Sequence, residues 1–162
     1  MPKSPLLRSV TVGELTRRLD AKVICCPEKE QLLVETLSIG AMGVNSAMEF
    51  FRRRRNMAVV TGAERTDIQL AALEASTQCL ILTGLGEPLL QLIHRAEELE
   101  VPILKVDLDT LASVEIIEQA FGHVRIHESI KASYAIQLVK EHVNLKNILE
   151  TIEFSCNFSD KC

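Results

Sequence analysis

The sequence predicts an α/β protein with three layers, in which a mostly parallel sheet of about five strands lies between helices and is followed by a C-terminal helical extension. Four times, a strand-like apolar run ends at a glycine or aspartate turn, and a helix-like run follows. The four turns cover residues 38–43, 61–67, 83–88 and 106–110. Because right-handed crossovers make successive strands parallel, we expect these turns at one carboxyl edge, where ligands bind in such folds.

Three predicted elements lead up to the first turn. Thr11 and Glu14 have the spacing of a capping box, and they predict a helix over residues 11–20. Short apolar runs predict a strand over residues 22–26 and another over residues 32–39, which enters the first turn.

Within the repeating pattern, apolar residues at three- and four-residue spacing predict helices, and short apolar runs predict buried strands. The predicted helices cover residues 44–54, 66–75, 88–100 and 110–121, and the predicted strands cover residues 57–61, 79–82 and 101–106. We expect Thr66 and Asp109 to cap their helices, and Pro88 to lie in the first turn of its helix. The helix over residues 44–54 is expected to begin at Gly43 or Asn45.

The pattern changes after Gly122, which is expected to end the last of these helices. Residues 123–126 are predicted to add an edge strand, and a long helix followed by a short one at residues 145–152 is predicted beyond them. The prediction therefore divides the chain into an N-terminal extension (1–9), an α/β domain (10–126), a helical extension (127–154) and a disordered tail (155–162).

The composition is that of a soluble globular protein: 162 residues, of which 47% are hydrophobic and 25% charged, suit one domain with a sizeable core. A net charge of -4 and a pI near 5.6 argue against a dedicated nucleic-acid-binding protein. No apolar run suits a secretory signal or a membrane span, so we expect a cytoplasmic location. The five cysteines lack the spacing of a zinc site, and Cys79, in an apolar run, is expected to be buried.

The second turn carries the densest group of polar residues. A capping Thr66 and a first-turn Asp67 are explained by the helix that follows them. Arg65 is different, because a guanidinium beside free helix N–H groups is typical of a phosphate or carboxylate site. Two interpretations of Arg65 stay open: it contacts a ligand, or it forms a salt bridge with Glu64 or Asp107.

The glycines of the first and third turns have two interpretations as well. Gly84 and Gly86 permit a close approach of the backbone to a ligand, or they simply make a tight turn before a helix. The third turn lacks the lysine of a phosphate-binding loop and the third glycine of a dinucleotide fingerprint. Gly40 and Gly43 leave the same choice, and Met42 is expected in the core.

Other polar residues suggest no catalytic set. Asp107 and Asp109 either hold a metal ion or, as we prefer, act structurally, with Asp109 as a helix cap. Four arginines at residues 52–55 suit a solvated helix end, with an acidic partner or a phosphate as the alternative. The four histidines have no carboxylate or serine at motif spacing; they are His94, His123, His127 and His142.

Five segments resemble, in order and spacing, the DRTGG domain; they are residues 10–15, 39–42, 58–68, 80–84 and 101–104, the last with Asp109 and Thr110. The resemblance covers residues 10–121. The family is named for Asp-Arg-Thr and a later Gly-Gly, which in this chain read Glu64-Arg65-Thr66 and Gly84-Leu85-Gly86. The whole chain is most similar to the carboxyl-terminal part of cyanobacterial proteins of the phosphotransacetylase family, which join a BioD-like domain to DRTGG and lack the acetyltransferase domain.

The resemblance implies a regulatory, oligomerising α/β module. It implies no ATPase or acyl-transfer activity, because the chain shows neither a BioD-like phosphate loop nor an acetyltransferase domain. The residues that match the family motifs, and that would form a ligand site, are Gly40, Thr61, Gly62, Glu64, Arg65, Thr66, Asp67, Thr83, Gly84, Asp109 and Thr110.

We therefore expect a non-catalytic module that binds a small anionic metabolite or a nucleotide at the turn edge, with no metal. The alternative is a protein-interaction adaptor that uses the C-terminal helices and the arginines at residues 52–55. A third, less favoured hypothesis is a remnant of an acyl- or phosphotransferase. A symmetric homodimer is expected, with no membrane or nucleic-acid partner.

Overall fold

The computed structural model describes residues 6–41, 43–75, 77–122 and 129–142. The chain from Arg8 through residue 122 lies in one compact unit, and the helix Ser129–His142 lies in a second unit and is described by itself. The predictions for Met42, residues 123–126, the helix at residues 145–152 and the tail lie outside the described residues.

The strands are β1 (Val10–Thr11), β2 (Lys22–Cys25), β3 (Leu33–Val34), β4 (Thr36–Ile39), β5 (Met57–Gly62), β6 (Thr77–Thr83) and β7 (Ile103–Lys105). The helices are α1 (Val12–Leu19), α2 (Val44–Arg52), α3 (Thr66–Leu73), α4 (Leu90–Glu98), α5 (Thr110–Gly122) and α6 (Ser129–His142). Short 3-10 turns cover Leu6–Arg8 and Pro27–Lys29. No helix of the described residues is long and apolar enough to cross a membrane.

The main sheet has five strands in the order β2-β7-β6-β5-β4. Strands β4 to β7 are parallel, with Ile39 opposite Val60 and Leu82 opposite Lys105, whereas β2 lies antiparallel to β7. The predicted α/β class, with a mostly parallel sheet of five strands, helices on both faces and a C-terminal helix, is confirmed.

The two faces of the sheet are covered by different helices. On one face, α2, α3 and α4 pack through Phe51, Ile68 and Leu92 on alternate strand residues such as Val59 and Leu80. On the other face, α1 and α5 pack on the intervening strand residues. The side chains of that second core include Leu15, Val60, Cys79, Ile81 and Ile117, so Cys79 is buried as predicted. Strand residues of both parities are buried because helices cover both faces.

The prediction of one strand over residues 32–39 is wrong. Leu33 and Val34 pair with β1 in a separate two-stranded sheet, and the main-sheet strand starts at Thr36. At the break, the backbone N–H of Glu35 donates to the carbonyl of Asn56 at 2.7 Å. This long-range hydrogen bond redirects the chain from one sheet to the other.

Two of the predicted helix caps are confirmed, one predicted cap is wrong, and one helix begins later than predicted. The N–H of Glu14 donates to Thr11 Oγ1 at 3.2 Å, and the N–H of Ala112 donates to Asp109 Oδ1 at 2.8 Å. Thr66 is not a cap, because α3 already begins at Thr66 and its N-cap is Arg65, without a side-chain capping bond. Pro88 lies before the N-cap of α4, Leu89, which has an extended backbone and delays the helix to Leu90. Gly43 is the N-cap of α2, one of the two predicted starts.

Candidate functional site

The structure brings the four predicted turns together at the carboxyl edge of the parallel strands. Thr61 Oγ1 donates to the carbonyl of Gly40 at 3.3 Å, and the N–H of Ala63 donates to the carbonyl of Thr83 at 2.9 Å. The N–H of Gly84 donates to the carbonyl of Leu108 at 3.0 Å. Each turn is therefore hydrogen-bonded to the next, and the four form one continuous edge.

Arg65 lies in the second turn and pairs with Asp67, a partner that the sequence did not suggest. Its Nε is 3.2 Å from Asp67 Oδ1, and the two side chains are 36% and 50% exposed. The hydrogen bond from Arg65 lowers the pKa of the Asp67 carboxyl, with the backbone N–H of Ile68 as the next cause. The Arg65–Asp67 pair is open to solvent, so a dissolved anion can reach the guanidinium.

Gln69 hydrogen-bonds to the backbone of this turn, a role that was not predicted from the sequence. The side chain is fully buried, and its Nε2 donates to the carbonyls of Gly62 and Ala63 at 2.8 Å and 3.0 Å. Its Oε1 is buried without a hydrogen-bond partner among the described residues. The available signal was a glutamine beside Ile68 on the buried part of α3, where a polar group needs partners.

The geometry at three glycines of the predicted site shows why a side chain is disfavoured there. A Cβ on Gly40 would lie 2.6 Å from Ile68 Cγ2 and 3.0 Å from Thr61 Cβ, so the first turn approaches the second closely. Gly84 has a φ of +85°, a conformation that favours glycine, and has nothing within 4 Å of an added Cβ. A Cβ on Gly62 would meet the carboxylate of Glu64, which folds back over the turn.

Lys105, at the end of β7, is the second residue that was missed. Its side chain is only 6% exposed, its ammonium donates to the carbonyl of Gly84, and it lies 3.5 Å from Asp107 Oδ1. The side chain of Asp107 is 89% exposed. The available signal was a lysine that ends an otherwise apolar strand, because burial of a charge requires compensation.

The remaining predicted residues connect the third and fourth turns. Thr83 Oγ1 and Thr110 Oγ1 share a hydrogen bond of 2.8 Å, and Thr83 also donates to the carbonyl of Thr61. Asp109 caps α5, while Asp107 pairs with Lys105. In the described part of the chain, no group of three or more His, Cys, Asp or Glu residues is arranged to hold a metal ion.

The arginines at residues 52–55 lie away from this edge. They are all exposed and immediately precede β5, at the opposite end of the strands. Arg53 pairs with Glu49, and the Arg54 guanidinium lies 4.4 Å above the ring of Phe50. These contacts fit the solvated helix end that the sequence suggested, and they place the run outside the turn edge.

A family model, described as the DRTGG domain, matches residues 14–120 of the chain. A phosphate acetyltransferase of Nitratidesulfovibrio vulgaris (strain Hildenborough) is 24% identical over an aligned length of 155 residues, and the alignment covers 89% of this chain and 22% of that protein. The chain thus spans about a fifth of that relative's length.

Among the solved structures with a similar fold is one from the regulatory region of a pyrophosphatase. It is the crystal structure of the CBS and DRTGG domains of the regulatory region of Clostridium perfringens pyrophosphatase, complexed with its activator diadenosine tetraphosphate. The TM-score is 0.61 at 20% sequence identity, and the match covers 74% of this chain and 52% of that one.

Proposed function

The chain belongs to the DRTGG domain family, whose model matches residues 14–120, and from this premise we propose that it is a non-catalytic regulatory module that binds a small anionic metabolite or nucleotide. The proposed site is the carboxyl edge formed by the four turns. The similar solved structure comes from a regulatory region that was crystallised with a nucleotide activator, which supports a regulatory role in ligand sensing.

The observation that carries this proposal is the position of Arg65. It is the N-cap of α3, where the Asp67 carboxylate accepts hydrogen bonds both from Arg65 and from the backbone N–H of Ile68, and its guanidinium is 36% exposed. A guanidinium binds phosphate or carboxylate oxygens through parallel hydrogen bonds. The Asp67 carboxylate already accepts hydrogen bonds from the Arg65 guanidinium in this way. A ligand oxyanion can therefore take the place of this carboxylate on a guanidinium that is already correctly oriented.

Thermal denaturation with a panel of compounds tests the proposal. The panel contains AMP, ADP, ATP, cyclic dinucleotides and acetyl-CoA. A ligand at 100 times its dissociation constant stabilises a protein by about 2.7 kcal/mol, which corresponds to about 5–11 °C in the melting temperature of a chain of this size. We expect at least one compound to raise the melting temperature of the wild type, and Arg65→Ala to reduce that shift.

Arg95→Ala is the matched control. The Arg95 side chain is 39% exposed and pairs with Glu74 and Glu98, outside the turn edge. Its removal should leave the ligand shift unchanged. A shift that Arg65→Ala leaves intact, or the absence of any shift in the wild type, would contradict the proposal.

We also propose that the protein acts in the cytoplasm as a symmetric homodimer, the commonest assembly of soluble oligomers. The alternative function, an interaction adaptor, draws support from the exposure of the arginines at residues 52–55. A pulldown of partner proteins separates the two functions. A regulatory site requires Arg65, whereas an adaptor keeps its partners in Arg65→Ala and loses them when residues 127–162 are deleted.

A further inference from the structure

The connections that follow β6 and β7 lead to opposite faces of the sheet. The β6 connection leads to α4, which packs with α2 and α3, and the β7 connection leads to α5, on the other face. In open α/β sheets, such a divergence between neighbouring strands opens a crevice outside their carboxyl ends, and ligands bind there. This is the single position among β4 to β7 of the described sheet where the helices change face.

Two lysines lie side by side next to this position: Lys105 ends β7, and Lys22 lies on β2, the neighbour of β7 on the side away from β6. Lys22, the first residue of β2, is paired directly with Lys105 in the antiparallel ladder between β2 and β7. Directly opposed residues of an antiparallel pair project to the same side of the sheet, where like charges repel each other. Lys22 is exposed, and Lys105 is buried.

The carboxylate of Asp107 neutralises the positive charge of these two lysines only weakly. Asp107 lies 3.5 Å from the Lys105 ammonium, and its own side chain is 89% exposed, so water weakens the pair. The carbonyl of Gly84, the other partner of Lys105, carries no full charge. A buried ammonium needs a close, well-bonded counter-ion, and two cations with one solvated anion attract a second anion.

Exposed leucines surround the same position. Leu85, Leu108 and Leu111 are 87%, 37% and 70% exposed. Leu85 follows Gly84, and the Leu108 carbonyl accepts the hydrogen bond of the Gly84 N–H at 3.0 Å. Leu111 follows Thr110, whose hydroxyl bonds to that of Thr83. Both of the connections that border the expected crevice therefore carry exposed apolar side chains.

We propose that this crevice is the ligand-contacting centre of the turn edge and takes an organic phosphate. Lys105 and Lys22 bind the oxyanion of the ligand, and the leucines contact its apolar group. In the absence of the ligand, Asp107 pairs with the ammonium of Lys105, and the ligand oxyanion displaces this carboxylate on binding. This inference rests on the proposed function, and it adds the place and the chemical class of the ligand. It extends the site beyond Arg65, since the third turn lies close to the second: a Cβ added to Gly86 would be 3.1 Å from Ala63 Cβ.

Isothermal titration calorimetry of the full chain with ATP and with inorganic pyrophosphate tests this inference. Lys105→Met keeps the length of a buried side chain and removes its charge, and we expect it to weaken ATP binding by about ten-fold or more, as for a lost charge-assisted hydrogen bond. Asp107→Asn removes the competing carboxylate, and it should tighten ATP binding. Pyrophosphate, which has no apolar group, should bind more weakly than ATP.

Lys29→Met is the matched control. Lys29 is also an ion-paired lysine, 2.7 Å from Glu100 Oε2, but it follows β2 and lies at the opposite edge of the sheet. Lys29→Met should bind ATP with the affinity of the wild type.

If Lys105→Met and Asp107→Asn also bind ATP with the affinity of the wild type while Arg65→Ala does not, the inference is wrong and the proposed function stands. If neither ATP nor any compound of the thermal panel binds the wild type, the proposed function fails together with the inference. Pyrophosphate binding as tight as ATP binding would refute the role of the leucines.

Discussion

The side chain of Gln69, on α3, donates hydrogen bonds to the turn that carries Arg65. Gln69→Met removes these hydrogen bonds while the volume of the side chain stays nearly the same. The carbonyl of Gly62 keeps a second donor, the N–H of Arg65 at 3.1 Å, whereas the carbonyl of Ala63 loses the bond that Gln69 donates. One buried carbonyl without its partner costs about 1–3 kcal/mol, and the loss of the already unpaired Oε1 offsets part of this cost. We expect a net loss of about 1–2 kcal/mol in the free energy of unfolding.

The assay is thermal denaturation, in which this loss corresponds to a decrease of about 2–8 °C in the melting temperature. Gln91→Met is the control, because Gln91 is an exposed glutamine on α4 and should tolerate the change. The ligand shift should also decrease in Gln69→Met, since Arg65 loses its fixed position. If Gln69→Met and Gln91→Met both have the melting temperature of the wild type, the hydrogen bonds of Gln69 do not stabilise the turn.

Three further predictions concern other parts of the molecule. Gly40→Ala should destabilise the fold by about 1–3 kcal/mol in urea denaturation through the close approach of the first two turns. Gly43→Ala, with open space around the added Cβ and an ordinary φ of -69°, should destabilise it less, through the less favourable alanine at the N-cap of α2 alone, and an equal loss in the two variants would contradict the role of the close approach. Because Arg65 lowers the pKa of Asp67 in the folded state, the stability advantage of the wild type over Asp67→Asn should be present at neutral pH and disappear as the pH falls below about 4; an advantage that persists in acid would refute this linkage. Burial raises the pKa of the Cys25 thiol to about 12, so iodoacetamide at about pH 8 should modify Cys25 slowly until urea unfolds the protein, and fast native labelling by mass spectrometry would contradict its burial.

The order of strands and helices could be predicted from the sequence because each unit carries its own local signal. Apolar runs such as residues 57–61 end at glycines, and the caps Thr11 and Asp109 act within three residues. The predictions fail where long-range bonds decide. The single strand predicted over residues 32–39 is wrong because Val34 pairs with Val10, a residue distant in the chain. The antiparallel orientation of β2, which was not predicted, also depends on a distant partner, β7.

The candidate site could be predicted only in part. Its turns were visible, because parallel strands must end at one edge, and the motif residues are indeed brought together there. Gln69 and Lys105 were missed, because a polar residue inside an apolar pattern does not reveal which backbone carbonyl it will meet. The pairing of Lys22 with Lys105 was hidden for a different reason, since the ladder register is set by the whole sheet.

Binding of an anionic ligand at the carboxyl edge is the central claim, and amide chemical-shift mapping by NMR during a titration with ATP tests it most directly. We expect saturable shifts concentrated in residues 61–67, 83–86 and 105–110, and small shifts at the opposite edge, in residues 26–29 and 53–56. Shifts concentrated at the arginines of residues 52–55, or no saturable shift at all, would contradict it.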